Sequence, residues 1–188
     1  MLDDMSTSTN IPNIRHSETG AAGDDEQQRR RIRRVLDRKS FAVLSTVSPA
    51  GFPHAAGVLY DNDGLRLYVH TMRSSRKARN VEANARAAVV VPVRRAPVGP
   101  PFTVQFQASA RLVAMDDAVI VDLLARRSLA TVSGHGALDE PDGCFIELSP
   151  IGRIHSYGIG VSMLAVARDP LHSGDRVVEI TDADHAQR

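Results

Sequence analysis

Between His70 and Asn84 the chain reads His-Thr-Met-Arg-Ser-Ser-Arg-Lys-Ala-Arg-Asn-Val-Glu-Ala-Asn. Hydroxyls, guanidinium groups and an ammonium gather there at the point where a strand should give way to a helix. The first turn of a helix leaves backbone N–H groups without partners and carries partial positive charge, so Ser74, Ser75, Arg76 and Lys77 would add donors to a natural anion site. A phosphate is the ligand this chemistry suits. The competing account is that Arg73, Arg76, Lys77 and Arg79 are the solvated face of an ordinary helix. One detail favours the first account: of 23 Lys+Arg residues only Lys39 and Lys77 are lysines. A compact ammonium in an arginine-rich chain suggests that a point charge is wanted at that position.

The elements that would position these groups can be read from periodicity. Leu65 to Val69 alternates after the turn signal Asp61-Asn62-Asp63-Gly64, which predicts a strand ending near Thr71, and a helix should follow over residues 75 to 84. Upstream, Phe41 to Val47 and Pro53 to Tyr60 read as a hairpin around Ser48-Pro49-Ala50-Gly51, and Ala55, Ala56 and Gly57 would admit a flat ring close to the backbone. Ala87 to Val93 is apolar on both faces, as a fully buried strand would be, and Thr103 to Val113 alternates over a long span. Arg94 to Pro101 is a proline-forced loop. A helix is predicted over residues 116 to 126, capped by Asp116 or Asp117, and residues 127 to 143 are loop-like. Two closing strands, Cys144 to Leu148 and Arg153 to Tyr157, should flank a turn at Pro150-Ile151-Gly152. Residues 1 to 23 read as a disordered arm, residues 24 to 168 as the folded domain and residues 169 to 188 as a polar tail with a short strand at 176 to 180. A first helix, with acids at its start and bases toward its end, should run through residues 27 to 39; its arginines read as a solvated face at the domain edge. This order predicts a mainly β, mostly antiparallel barrel with peripheral helices.

Composition narrows the classes. A formal charge of +1 and 4% aromatic residues argue against a nucleic-acid platform, and a single cysteine, Cys144, forbids an internal disulfide or a thiolate cluster. No signal-like start and no run of about 18 apolar residues are present, so no membrane span is expected and a cytoplasmic setting is. His54, His70, His135 and His155 are proton-donor candidates by type, but their spacing suits no zinc motif and no metal is expected.

The residues of this segment resemble the split β-barrel flavoproteins typified by pyridoxamine 5'-phosphate oxidase, and the likeness covers about residues 27 to 157. In that family an aromatic residue and Thr end a strand, Ser-Arg-Lys opens a helix that closes on Asn-Pro, and the Arg-Lys pair holds the phosphate of FMN. Thr71, Ser75, Arg76, Lys77, Asn80 and Asn84 match; His70 takes the aromatic position, where its neutral ring would stack, and Ala85 replaces the proline. The family's glutamine on the long strand falls at Thr103, with Gln105 two residues on. An Arg and a Lys that complete the cofactor site on the second strand correspond to Ala56 and Asp61, a departure from true pyridoxamine-phosphate oxidation. Arg153 and His155 are similar to the family's substrate-gripping Arg-x-His, although their surroundings differ and a structural role is the stronger reading. The resemblance implies an FMN-dependent oxidoreductase of unknown substrate, in which the flavin carries the hydride and no side chain is assigned as catalytic. It also implies a homodimer with the cofactor at the subunit interface, with Arg111 among the interface residues. Two alternatives accompany it: a deazaflavin (coenzyme F-420) reductase, suggested by an arginine-rich composition of actinobacterial type, and a non-catalytic flavin- or haem-binding protein.

Overall fold

The computed structural model describes residues 18–94, 102–134, 136–169, 173–181 and 184. The first 17 residues of the expected arm, most of the proline loop and His135 lie outside the described residues.

Helix α1 (Glu18–Leu36) begins inside the stretch read as an arm, where Ala21 and Ala22 are strong helix formers. It buries Ile32 and Leu36 completely against the barrel, each worth roughly 1.5–3 kcal/mol over exposure. The hairpin β1 (Phe41–Val47) and β2 (Pro53–Leu59) forms in the register its turn dictates, Val47 facing Pro53. Short β3 (Asp61–Asp63) and β4 (Arg66–Met72) make a second hairpin, and β4 runs straight into α2 (Arg76–Ala83). Then come β5 (Arg86–Val93), β6 (Phe102–Val113), α3 (Ala118–Ala125), β7 (Gly143–Tyr157), α4 (Met163–Arg168) and β8 (Asp175–Glu179). All pairings are antiparallel, in the order β2-β1-β5-β6-β7-β4-β3, with β8 added beside β7. This curled sheet is a split β-barrel. Its interior packs Leu44, Leu67, Val89, Val104, Ile146 and their neighbours, while α3 encloses a second, smaller core with Tyr68, Phe145 and Leu129.

Two strand expectations need correction. The two closing strands are one strand: β7 pairs continuously with β6, and the supposed turn is a bulge. The register jumps from Phe106–Ile154 to Gln107–Ile151, leaving Gly152 and Arg153 without partners on β6. Gly152 has φ +69°, a conformation that costs glycine little, and the extra residues bend the strand. Its first half thereby pairs with β4 and its second half with β8. The other correction concerns β5, whose apolar residues do not lie buried on both faces: Ala87, Val89, Val91 and Val93 point inward, but Ala88 is exposed and Val90 only half-buried. Helix α4 was not foreseen, although Ser162 caps it with its Oγ accepting from the Ala165 N–H at 3.1 Å.

Candidate functional site

Ser75 is the hinge between β4 and α2. Its backbone N–H donates to Met72 O at 3.0 Å, and its Oγ accepts the Ala78 N–H at 3.3 Å and the Thr71 hydroxyl at 3.1 Å. Two of the helix's four orphan donors are therefore satisfied, and those of Arg76 and Lys77, the first two helical positions, are left facing off the end. The side chains of the same two residues, one exposed and one half-buried, make no hydrogen bond or ion pair among the described residues. With Ser75 Oγ accepting twice, its own proton is also uncommitted. Five donor groups, two of them charged, therefore stand at the start of α2 without a partner among the described residues.

The structure also explains why this end of α2 is rigid. Asn80, on its buried face, donates from Nδ2 to Thr46 Oγ1 at 3.0 Å, tying the helix to β1, and both residues are almost wholly buried. Asp142, which sequence reasoning missed, clamps the preceding turn: its backbone O accepts from Arg73 N at 2.9 Å and its Oδ2 from Ser74 N at 3.0 Å. Hydrogen bonds from Ser74 hold the Asp142 carboxyl below the usual carboxylate range. The Ser74 donors are consequently spent, which leaves Ser75, Arg76 and Lys77 as the donors still available at this corner.

His70 lies next to Thr71 in sequence but on the opposite face of β4. Thr71 is on the interior face; the His70 ring meets Phe145 edge-on, with centroids 5.4 Å apart at 71°. Its Nε2 is buried without a partner and faces Gly143, where a Cβ would come within 3.1 Å. Burial lowers its pKa, Glu140 opposes that shift and the Lys77 charge adds a smaller lowering, so the ring is neutral near pH 7. Cys144, facing Thr71 across the ladder, has its thiol pushed up by burial and is inert.

Thr103 and Gln105 are not gathered to this point. Gln105 pairs with Val90 and with His155, whereas Thr71 pairs with Cys144. His155 and Cys144 are 11 positions apart on β7, a contour of about 35 Å along the strand. Instead Gln105 lines a cavity of about 520 Å³ on the outer face of the sheet, with Ala88, Val90, Gln107, Ile151 and His155. A second hollow of about 330 Å³ continues it past Ala88, Gln107 and Ile151 toward Ser45 and Arg86. Arg153 borders the first cavity but is bound to Glu179 at 2.9 Å, in keeping with a structural role.

Of the two positions expected on the second strand, only Ala56 lies on β2; Asp61 opens β3, beyond the end of β2 at Leu59. Asp61 Oδ2 accepts from the backbone N–H groups of Thr131 and Val132 at 2.8 and 2.9 Å, so it pins a loop. Ala56 packs against the barrel core, and the ring that approaches Gly57 is the chain's own Phe41, 2.9 Å from where a Cβ would stand. His54 faces Thr46 across the hairpin, its Nδ1 buried without a partner. Among the described residues there is no group of three or more His, Cys, Asp or Glu suited to a metal, and no helix is long and apolar enough to cross a membrane.

Solved structures share this architecture. The haem storage protein HutZ from Vibrio cholerae superposes with a TM-score of 0.60 at 19% identity, over 69% of this chain and 94% of that one. A haem-binding protein from Mycobacterium smegmatis gives 0.63 at 17% identity, over 85% of this chain and 60% of the other. An FAD-binding protein from Mesorhizobium loti gives 0.51 at 18%, over 62% and 83%. At these identities the likeness is one of fold. No curated protein matches the sequence. The family model for pyridoxamine 5'-phosphate oxidase matches residues 29–152, from α1 to the bulge of β7 and across the whole Thr71–Lys77 corner. The chain belongs to the pyridoxamine 5'-phosphate oxidase family.

Proposed function

We propose that this protein is an FMN-dependent oxidoreductase acting on a small molecule, and that it works as a homodimer with the cofactor at the subunit interface. The observation that carries the reading is the pair of uncommitted cations and amides at Arg76 and Lys77, beside the free proton of Ser75. When bound, the flavin supplies hydride transfer. The chain's own contribution is to neutralise the phosphate with Arg76 and Lys77, to fix its position through the Ser75 cap, and to hold that cap still through Asn80–Thr46 and Asp142. These groups fit a phosphate; Ala56 on β2 and Asp61 on β3 offer the ring nothing comparable, since one packs against the core and the other is engaged with a loop.

The dimer rests on a different feature. One protomer leaves the apolar outer face at Ala88, Val90 and Ile151 uncovered, with Gln105, Gln107 and His155 standing in it. A second copy across that face would bury it and bring these polar groups to a shared site far from the first anchor. Thr103 and Gln105 would then serve a cofactor held by the partner, and His70 would support the anchor from behind β4 without stacking on the ring.

A deazaflavin bearing a phosphate would use the same anchor. Haem holding without turnover is a second reading. Exposed His155 beside apolar walls favours it, as do the two haem proteins of the same fold. Visible spectroscopy and mass spectrometry of the chromophore released from purified protein test all three. FMN supports the proposal, a deazaflavin or haem replaces it, and failure to bind any of them at micromolar concentration removes it.

A further inference from the structure

Helix α1 sorts its arginines into two sets. Arg29, Arg30 and Arg33 each reach a carboxylate, Glu26 or Asp184, at 3.1 to 3.3 Å. Among the described residues Arg31, Arg34 and Arg38 reach none. These three, with Lys39 and with Arg94 at the end of β5, surround a cleft of about 350 Å³ that no carboxylate lines among the described residues. A merely solvated face would not separate paired from unpaired arginines in this way, and five like charges around one hollow repel each other unless an anion joins them. The helix dipole accounts for a cation such as Arg38 just past the last turn, but not for Arg94 on another element.

Part of the cleft is built in place. Arg31 Nη1 donates to Gln28 Oε1 at 3.4 Å, and the buried Gln28 is itself fixed, its Nε2 donating to Ser156 Oγ at 2.9 Å and to Ile159 O at 3.0 Å. Gly160, at φ +83°, makes room for that guanidinium; a Cβ there would stand 2.5 Å from Arg31 Nη1. Val93 and Ile159 are buried and, with Val35, make an apolar floor. The cleft lies at the other end of the barrel from the α2 anchor: it adjoins Val93, next to the Thr103–Tyr157 pair, and Tyr157 is 13 positions along β7 from Cys144.

From these observations we propose that the cleft binds a small polyanion carrying two or three linked phosphate groups. Arg31, Arg34 and Arg38 extend over about 10 Å of helix axis, a span suited to linked phosphates and wasteful for one. Among the described residues no aromatic side chain lines the cleft, so bases of a single-stranded nucleic acid would find no stacking surface there.

Inorganic tripolyphosphate, titrated calorimetrically at low salt, is the probe. Lys77→Ala weakens anion binding at α2, and in that background one saturable site per chain, of undiminished affinity, should remain. Adding Arg34→Gln with Arg38→Gln, both at exposed positions, should weaken it at least tenfold, and Arg94→Gln, on a separate element, at least threefold, with thermal melts of all variants matching the parent. Absence of binding overturns the proposal. So does binding lost with Lys77→Ala alone or indifferent to the arginine changes. Tighter binding of a 20-nucleotide single-stranded RNA than of tripolyphosphate overturns it in favour of a nucleic-acid surface.

Discussion

Replacing Lys77 with alanine tests the proposed phosphate anchor. The ammonium makes no hydrogen bond or ion pair among the described residues, so its removal orphans no protein group, and folding stability should change by no more than about 0.5 kcal/mol. Its loss to a bound phosphate is that of one charge-assisted hydrogen bond, about 1.5–3 kcal/mol, or roughly 10- to 150-fold in Kd. The contrast between FMN and riboflavin, which lacks the phosphate, assigns the loss. Quenching of flavin fluorescence should show FMN affinity falling by that factor in the variant while riboflavin affinity stays within twofold. A second readout is internal: the Lys77 charge is one of the influences that lower the His70 pKa, so that value should rise in the variant when followed by NMR. FMN affinity that is unchanged, or that falls no more than riboflavin affinity does, would refute the anchor.

Asp61→Ala should release the amides of Thr131 and Val132, costing about 1–3 kcal/mol in urea denaturation and speeding hydrogen exchange at those two amides, with Asp61→Asn intermediate; unaltered exchange there would contradict the loop-pinning role. His70 is held neutral, with a folded pKa below its unfolded value of about 6.5. As pH falls through that value the unfolded chain takes up the proton first, so the contribution to stability is complete above about pH 6.5 and is lost as pH drops through the folded pKa. The urea midpoint of the wild type should therefore fall more between pH 7.5 and 5 than that of His70→Gln; parallel profiles would contradict a neutral buried ring.

Much of the α2 corner was legible because its determinants are local. The alternation of β4, the Ser75 cap three residues before Ala78, and the cations on the first helical turn are relations within a few positions, and sequence order is enough to express them. The β1–β2 hairpin and the Asp117 cap of α3 were readable for the same reason. Readings that depended on neighbours remote in sequence went differently. Pro150-Ile151-Gly152 has turn composition, yet β6 on one side and β4 or β8 on the other hold it in a continuous strand, so the glycine makes a bulge. Gly57 looked like space for a ligand ring until Phe41, 16 positions earlier, filled it.

The sequence by itself determined the strand and helix types, the barrel class and the phosphate-suited corner at Ser75, Arg76 and Lys77, because backbone propensity, capping and alternation act over four residues or fewer. Only the tertiary structure decided which side chains face one another. It packed the His70 ring edge-on against Phe145, left the Ala88–Val90 face of β5 uncovered and engaged Asp61 with amides 70 residues away. It also brought Arg94 to Arg31, Arg34 and Arg38, which reach no carboxylate among the described residues. These are consequences of ladder register and sheet curvature, which arise when segments far apart in the chain pair and close the barrel.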